Sequence, residues 1–161
     1  GCHMVRMAEF EEVNPEREIY PARRGQNWQL LLPVYYKFKR YYLDEPLYAY
    51  IVYHDSMSSG DSTEKKELNR WEEHEEIIRQ TLRRMPLTKD ETEKYEREIA
   101  VRYAKKRFFT AIDYRDRAML QKQYEILKRH QEDTDEIRAL YLRNYYPILK
   151  LFYKTKKLFK G

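Results

Sequence analysis

The sequence predicts a mainly α fold, an α-helical bundle with a small β segment. Three observations carry that expectation. None of the four glycines lies between Gly60 and Gly161, so the second half lacks the residue that hairpins and phosphate-binding loops use at left-handed backbone positions. Apolar residues in that half recur at helical spacing. Two capping signatures, Asp61 with Glu64 and Thr88 with Glu91, stand in front of the two longest such runs.

Taken in order, residues 1–6 are set aside as a tag and linker, because "GCHM" resembles an expression-vector remnant and contains the only cysteine, Cys2. Met7 to Arg24 is expected to be irregular, since Pro15 and Pro21 prevent a long regular element. The run "QNWQLLLPVYYKF" from Gln26 to Phe38 is too long and too apolar for an edge strand. It reads as a buried helix with Asn27 as N-cap and a kink at Pro33. Next, "YYLDEPLYAYIVYHDS" holds two short extended segments, because Tyr, Ile and Val favour strands and Pro46 breaks between them.

From Asp61 the period changes. Leu68, Trp71, Ile78 and Leu82 mark one amphipathic helix that ends at Pro86. Tyr95, Ile99, Tyr103, Phe108 and Ile112 mark a second, with Ala100, Ala104 and Ala111 allowing close approach of a neighbour. A third carries Leu120, Tyr124 and Leu127, a shorter one spans Asp133 to Asn144, and Pro147 opens a closing segment. Short connections predict antiparallel neighbours. The organisation expected is residues 7–60 as one segment and 61–161 as a helical extension.

The composition narrows the function classes. Without a native cysteine, disulfides and thiolate metal sites drop out. No apolar stretch approaches the roughly 20 residues that cross a bilayer. The net charge of +5 is nearly all in the last seventeen residues, "YYPILKLFYKTKKLFKG", which carry five lysines and no acid. The remainder is balanced, which argues against a nucleic-acid partner.

One ordered set of motifs is more specific. "GQNWQLLLP", then "DEPLYAY" at Asp44 to Tyr50, then "SMS" at Ser56 to Ser58 together resemble the C-terminal part of the catalytic domain of family 2 glycosyltransferases, in a Gly-Gln-Asn-Trp-Gln subgroup. The resemblance covers roughly Phe10 to Ser59. It implies a remnant of a GT-A α/β domain and inverting transfer of a sugar from a nucleotide-sugar to a saccharide or lipid-linked acceptor in polysaccharide or cell-surface glycan synthesis. The βαβ donor-binding half and its acidic metal-binding motif are not found. Mg²⁺ or Mn²⁺ and a nucleotide-sugar are therefore implied for a longer parent enzyme, no cofactor for this segment, and no turnover by this segment alone. The missing N-terminal half of the catalytic domain becomes the first expected partner.

In that family a Glu-Asp pair opens the acceptor-side helix, and its Asp is the base. The pair falls here on Gln26 and Asn27, whose amides cannot take up a proton at ordinary pH. Gln26, Asn27 and Trp28 are therefore assigned to acceptor binding, with Trp28 offering a flat face to a pyranose ring. The catalytic residue is left unassigned. His54, Asp55, Ser56 and Ser58 form a candidate active-site turn. His74 and His130 lie on charged helical faces without ligand-type neighbours, so no metal site is expected.

Lys150, Lys154, Lys156 and Lys157 interleave with Phe159 and other apolar residues, a pattern suited to a membrane or an acidic partner. The expected location is cytoplasmic, at the inner face of the membrane. Tyr95, Tyr103, Tyr141, Tyr145 and Tyr146 leave room for a homodimer. The rival expectation is a non-enzymatic helical module for protein interaction or membrane-surface binding.

Overall fold

The computed structural model describes residues 3–46, 49, 51 and 63–146. These hold six helices: α1 (Met7–Val13), α2 (Gln26–Lys37), α3 (Glu64–Arg83), α4 (Lys89–Tyr114), α5 (Arg117–Arg129) and α6 (Asp135–Tyr145). The fold is mainly α-helical, as expected. The small β segment is not seen: among the described residues no strand forms, and 41–46 hold no regular element, with a bend at Glu45. Most of its second half, with Asp61 and the closing segment from Pro147, lies outside the described residues.

The chain divides into two compact units. One gathers Gly1–Ser62 with Glu72–Thr92, the other Thr63–Trp71 with Glu93–Gly161, so the boundary falls inside α3 and inside α4.

In the first unit, the opening is more regular than its prolines suggested. Ala8, Glu9, Glu11 and Glu12 favour helix, and α1 forms until Asn14, which the following Pro15 pushes out of helical geometry. Asn14 is 5% exposed, and its Nδ2 donates to Phe10 O at 3.2 Å and Leu30 O at 3.3 Å, fastening α1 to α2. Pro33 sits inside α2, as expected. It has no N–H for the carbonyl four residues back, which is that of Gln29. Arg84, just past α3, supplies the missing donor through Nη2 at 3.2 Å. The same guanidinium donates to Glu18 O.

The second unit has its core on α4, α5 and α6. Ala104, Phe108, Ala111, Leu120, Tyr124, Leu127, Ile137 and Tyr141 form one buried cluster. Ala104 and Ala111 are the small residues that the sequence marked for close approach. Trp71 packs between cations, with Arg70 4.3 Å and Lys106 4.1 Å from its ring centre, and its Nε1 donates to Thr110 Oγ1 at 3.0 Å.

The helix ends show how a glycine-free half still turns. Thr88 and Glu91 cap α4 reciprocally: Thr88 Oγ1 accepts from Glu91 N at 3.2 Å, and Glu91 Oε2 accepts from Thr88 N at 2.9 Å. Asp116 and Thr134 cap α5 and α6 in the same N-terminal role. At the other ends, Arg115 (φ 61°) and Gln131 (φ 59°) take the left-handed position. Behind them Asp116 N bonds Ala111 O at 2.9 Å and Glu132 N bonds Leu127 O at 2.8 Å, which closes the Schellman pattern. A side chain in that conformation costs roughly 1–2 kcal/mol, part of which glycine would return as chain entropy in the unfolded state. Gln131→Gly is therefore expected to stabilise the chain by about 0.5–1 kcal/mol, read as a higher urea midpoint. A lower midpoint would mean that the exposed Gln131 side chain makes a contact that outweighs the strain.

One pair of carboxyls works against folding. Glu64, in the first turn of α3, has its Oε1 buried with no hydrogen-bond partner among the described residues. Its pKa is raised, first by desolvation and then by the Asp116 carboxylate beside it. The folded state thus binds this proton more tightly than the unfolded chain does. The stability this contributes is present below the ordinary glutamate pKa and is lost as pH rises through the raised value. Glu64→Gln should raise the melting temperature by about 1–2 °C at pH 7 and leave it nearly unchanged near pH 4. A shift of the same size at both pH values would remove the ionisation argument.

Candidate functional site

The start of α2 is built around Gly25. Its φ of 75° is left-handed, and an added Cβ would meet Ile77 at 3.1 and 3.2 Å and Trp28 at 3.5 Å. Only glycine suits both demands. Gly25 is the N-cap, and no side chain bonds the first turn. This corrects the assignment of Asn27 as N-cap: Asn27 is the second residue of the helix, with its side chain outward.

Gln26, Asn27 and Trp28 are all exposed. Gln26 is partly committed, since its Nε2 donates to Ala22 O at 3.1 Å and Arg23 O at 3.2 Å, stapling the preceding turn. Its Oε1 is what remains for a ligand. Trp28 is 40% exposed and packs edge-on against the His74 imidazole at 4.8 Å, which holds the indole in place. The arrangement offers an amide and an aromatic face side by side, with a titratable imidazole behind the ring. It can hydrogen-bond hydroxyls and cover an apolar ring face. None of the three exposed side chains can take up a proton at ordinary pH.

Behind this surface lies the residue that sequence reasoning missed. Gln29 is 0% exposed. Its Oε1 accepts from Tyr20 N at 2.7 Å and its Nε2 donates to Tyr20 O at 2.9 Å, so one side-chain amide pairs with both backbone polar groups of Tyr20. Its own carbonyl takes the Arg84 bond freed by Pro33. The available signal was positional: Gln29 is four residues before Pro33, so its carbonyl had to find a non-helical donor.

The other sequence-marked residues divide in two groups. His54, Asp55, Ser56 and Ser58 of the candidate turn, and Lys150, Lys154, Lys156, Lys157 and Phe159 of the tail, lie outside the described residues. Of the tyrosines proposed for a homodimer, Tyr103 and Tyr141 are buried in the second unit, Tyr95 and Tyr145 are half-buried and Tyr146 is exposed. Tyr103 is 2% exposed, and Tyr141 stacks on Tyr124 at 4.0 Å and on Tyr145 at 5.1 Å. Burial raises the Tyr141 pKa, with the neighbouring Tyr145 adding to it. Among the described residues no three His, Cys, Asp or Glu side chains come together as a metal-ligand group. Nor is any described helix long and apolar enough to cross a membrane.

Comparison of the chain with protein-family models, with curated proteins and with solved structures finds no match.

Proposed function

We propose that this chain is the acceptor side of an inverting, nucleotide-sugar-dependent glycosyltransferase of the family 2 type, followed by a helical extension. The observation that carries the reading is the first turn of α2. There Asn27 and Trp28 stand exposed together, fixed from below by Gly25 against Ile77 and by Gln29 against Tyr20. In this role Trp28 covers one face of the acceptor sugar, and Asn27, with Gln26 Oε1, hydrogen-bonds its hydroxyls. In this reading the nucleotide-sugar and its divalent metal are held by a preceding half of the catalytic domain.

The test is sugar transfer by the longer polypeptide this reading requires, one with a donor-binding half upstream of Val5; a gene product without such a half would overturn the reading. Wild type should transfer sugar from a nucleotide-sugar in the presence of Mg²⁺ or Mn²⁺, and the 161-residue chain alone should not. Trp28→Ala should lower acceptor kcat/KM about tenfold, the loss of one stacking contact, while hydrolysis of the donor to water stays unchanged. Comparable turnover by the isolated chain, or an unchanged acceptor kcat/KM in Trp28→Ala, would overturn the assignment.

A further inference from the structure

The balanced charge outside the tail hides a division. By sequence, the residues of the first unit carry 11 Lys and Arg against 15 Asp and Glu, and those of the second unit 21 against 12. The second unit keeps an excess of four without the five tail lysines. Part of that excess is concentrated on one face of α4. Lys94, Arg97, Arg102 and Lys105 surround Val101 and, with Glu98 and Glu132, line an open depression. These α4 positions fall on adjacent turns and extend over about 16 Å of helix.

The cations are not equally engaged. Lys105 pairs with Glu132 at 2.8 Å, and that bond holds the Glu132 carboxyl below the usual glutamate range. Arg97 donates through Nη2 to the His130 carbonyl at 3.0 Å, which leaves its other N–H groups. Lys94 and Arg102 are exposed, and neither has an ion-pair partner among the described residues. Glu98 stands one turn from both Lys94 and Arg102 and offsets part of their charge, so the lining as a whole carries four cations against two carboxylates, an excess of two that an anion would complement.

We propose that this α4 face is a docking surface for the phosphate headgroups of an anionic membrane. The depression is open to solvent and has an apolar residue, Val101, among its cations, which suits a lipid–water interface better than an enclosed ligand. Its lining has no aromatic residue on which a nucleic-acid base could stack. The same unit's sequence ends in lysines interleaved with Leu149, Phe152, Leu158 and Phe159, a second basic and apolar element of the kind that reinforces a weak membrane contact. The proposal is independent of the transferase reading.

The test is co-sedimentation of the full chain with vesicles of neutral phosphatidylcholine and with vesicles containing about a third of an anionic phospholipid. Wild type should pellet with the anionic vesicles only, less so at high salt. Neutralising the two cations without an ion-pair partner, Lys94→Gln with Arg102→Gln, should weaken binding about 30-fold, from roughly five-fold per basic residue at such a surface. Because both side chains are exposed, the circular dichroism of this variant should match wild type. A separate variant with Lys150, Lys154, Lys156 and Lys157 changed to Gln measures the tail, and a titration with inorganic polyphosphate measures soluble anions. The proposal is overturned if wild type ignores anionic vesicles, or if the double variant binds them as wild type does. It is equally overturned if the two substitutions weaken polyphosphate binding alone.

Discussion

Phe108→Ala is expected to lower the stability of the second unit by about 3–5 kcal/mol, the largest effect of any single truncation considered for this chain. Phe108 is 0% exposed and sits in the cluster where α4 meets α5 and α6. Its ring meets Phe109 edge to face at 5.6 Å. Truncation removes the transfer energy of the ring and leaves a cavity whose walls include Ala104 and Ala111, short side chains that cannot reach across to fill it. The two tryptophans make the measurement specific, because Trp28 reports on the first unit and Trp71 on the second. In a Trp28→Phe background, the Trp71 unfolding transition should move down by about 2 M urea, given an m-value typical of small domains. A midpoint shift under about 0.5 M would mean that the cluster is not the core of this unit.

Gln29→Met should destabilise the first unit by about 2–4 kcal/mol. Methionine fills a similar volume, so packing changes little. What is lost is the paired acceptor and donor that satisfy Tyr20 N and Tyr20 O, and each group left unpaired away from water costs on the order of 1–3 kcal/mol. The Trp28 transition, followed in a Trp71→Phe background, is where the loss should appear. Gln29→Glu separates polarity from shape: it retains an acceptor for Tyr20 N, cannot donate to Tyr20 O when ionised, and buries a charge, so it should be at least as damaging at pH 7. Were Gln29→Met as stable as wild type, the amide would not be what orders the turn below Gln26, Asn27 and Trp28. The surface proposed for the acceptor would then lose its support from below.

Much of the helical architecture was legible before folding because helix signals are local. Thr88 and Glu91 lie three residues apart and cap α4 as their spacing implies. Ile99, Tyr103, Phe108 and Ala111 recur at the helical period and are all buried. The α3 face was read slightly off. Leu68, Trp71, Ile78 and Leu82 are only partly buried, whereas Ile77 and Thr81 are fully so. Thr81 escaped notice because it is polar, but its hydroxyl donates to the Ile77 carbonyl one turn back at 2.7 Å and needs no distant partner. Of the expected capping pair at α3, Asp61 lies outside the described residues; Thr63, adjacent to the helix, accepts from Lys66 N at 3.4 Å.

At the candidate site the division is sharper. That an exposed amide and an indole open α2 is written in "GQNWQ", and the absence of a base among them follows from the residue types alone. The neighbours of that turn are not. His74 is forty-six positions from Trp28, and Ile77 and Arg84 are farther still from their partners Gly25 and Gln29.

By itself the sequence determined the helices from α2 onward, the reciprocal cap of α4, the apolar face of α4 and the chemical character of the surface at α2. Each of these depends on residues within about one turn of one another, where backbone geometry fixes who meets whom. Tertiary structure alone decided that residues 72–92 cluster with the opening segment, that Arg84 completes the hydrogen bonding Pro33 interrupts, and that the charges of a balanced body separate into an acidic and a basic unit. Those outcomes join residues far apart in the chain. They are set by which buried polar groups can find partners and which apolar faces can be covered together, conditions that no local pattern encodes.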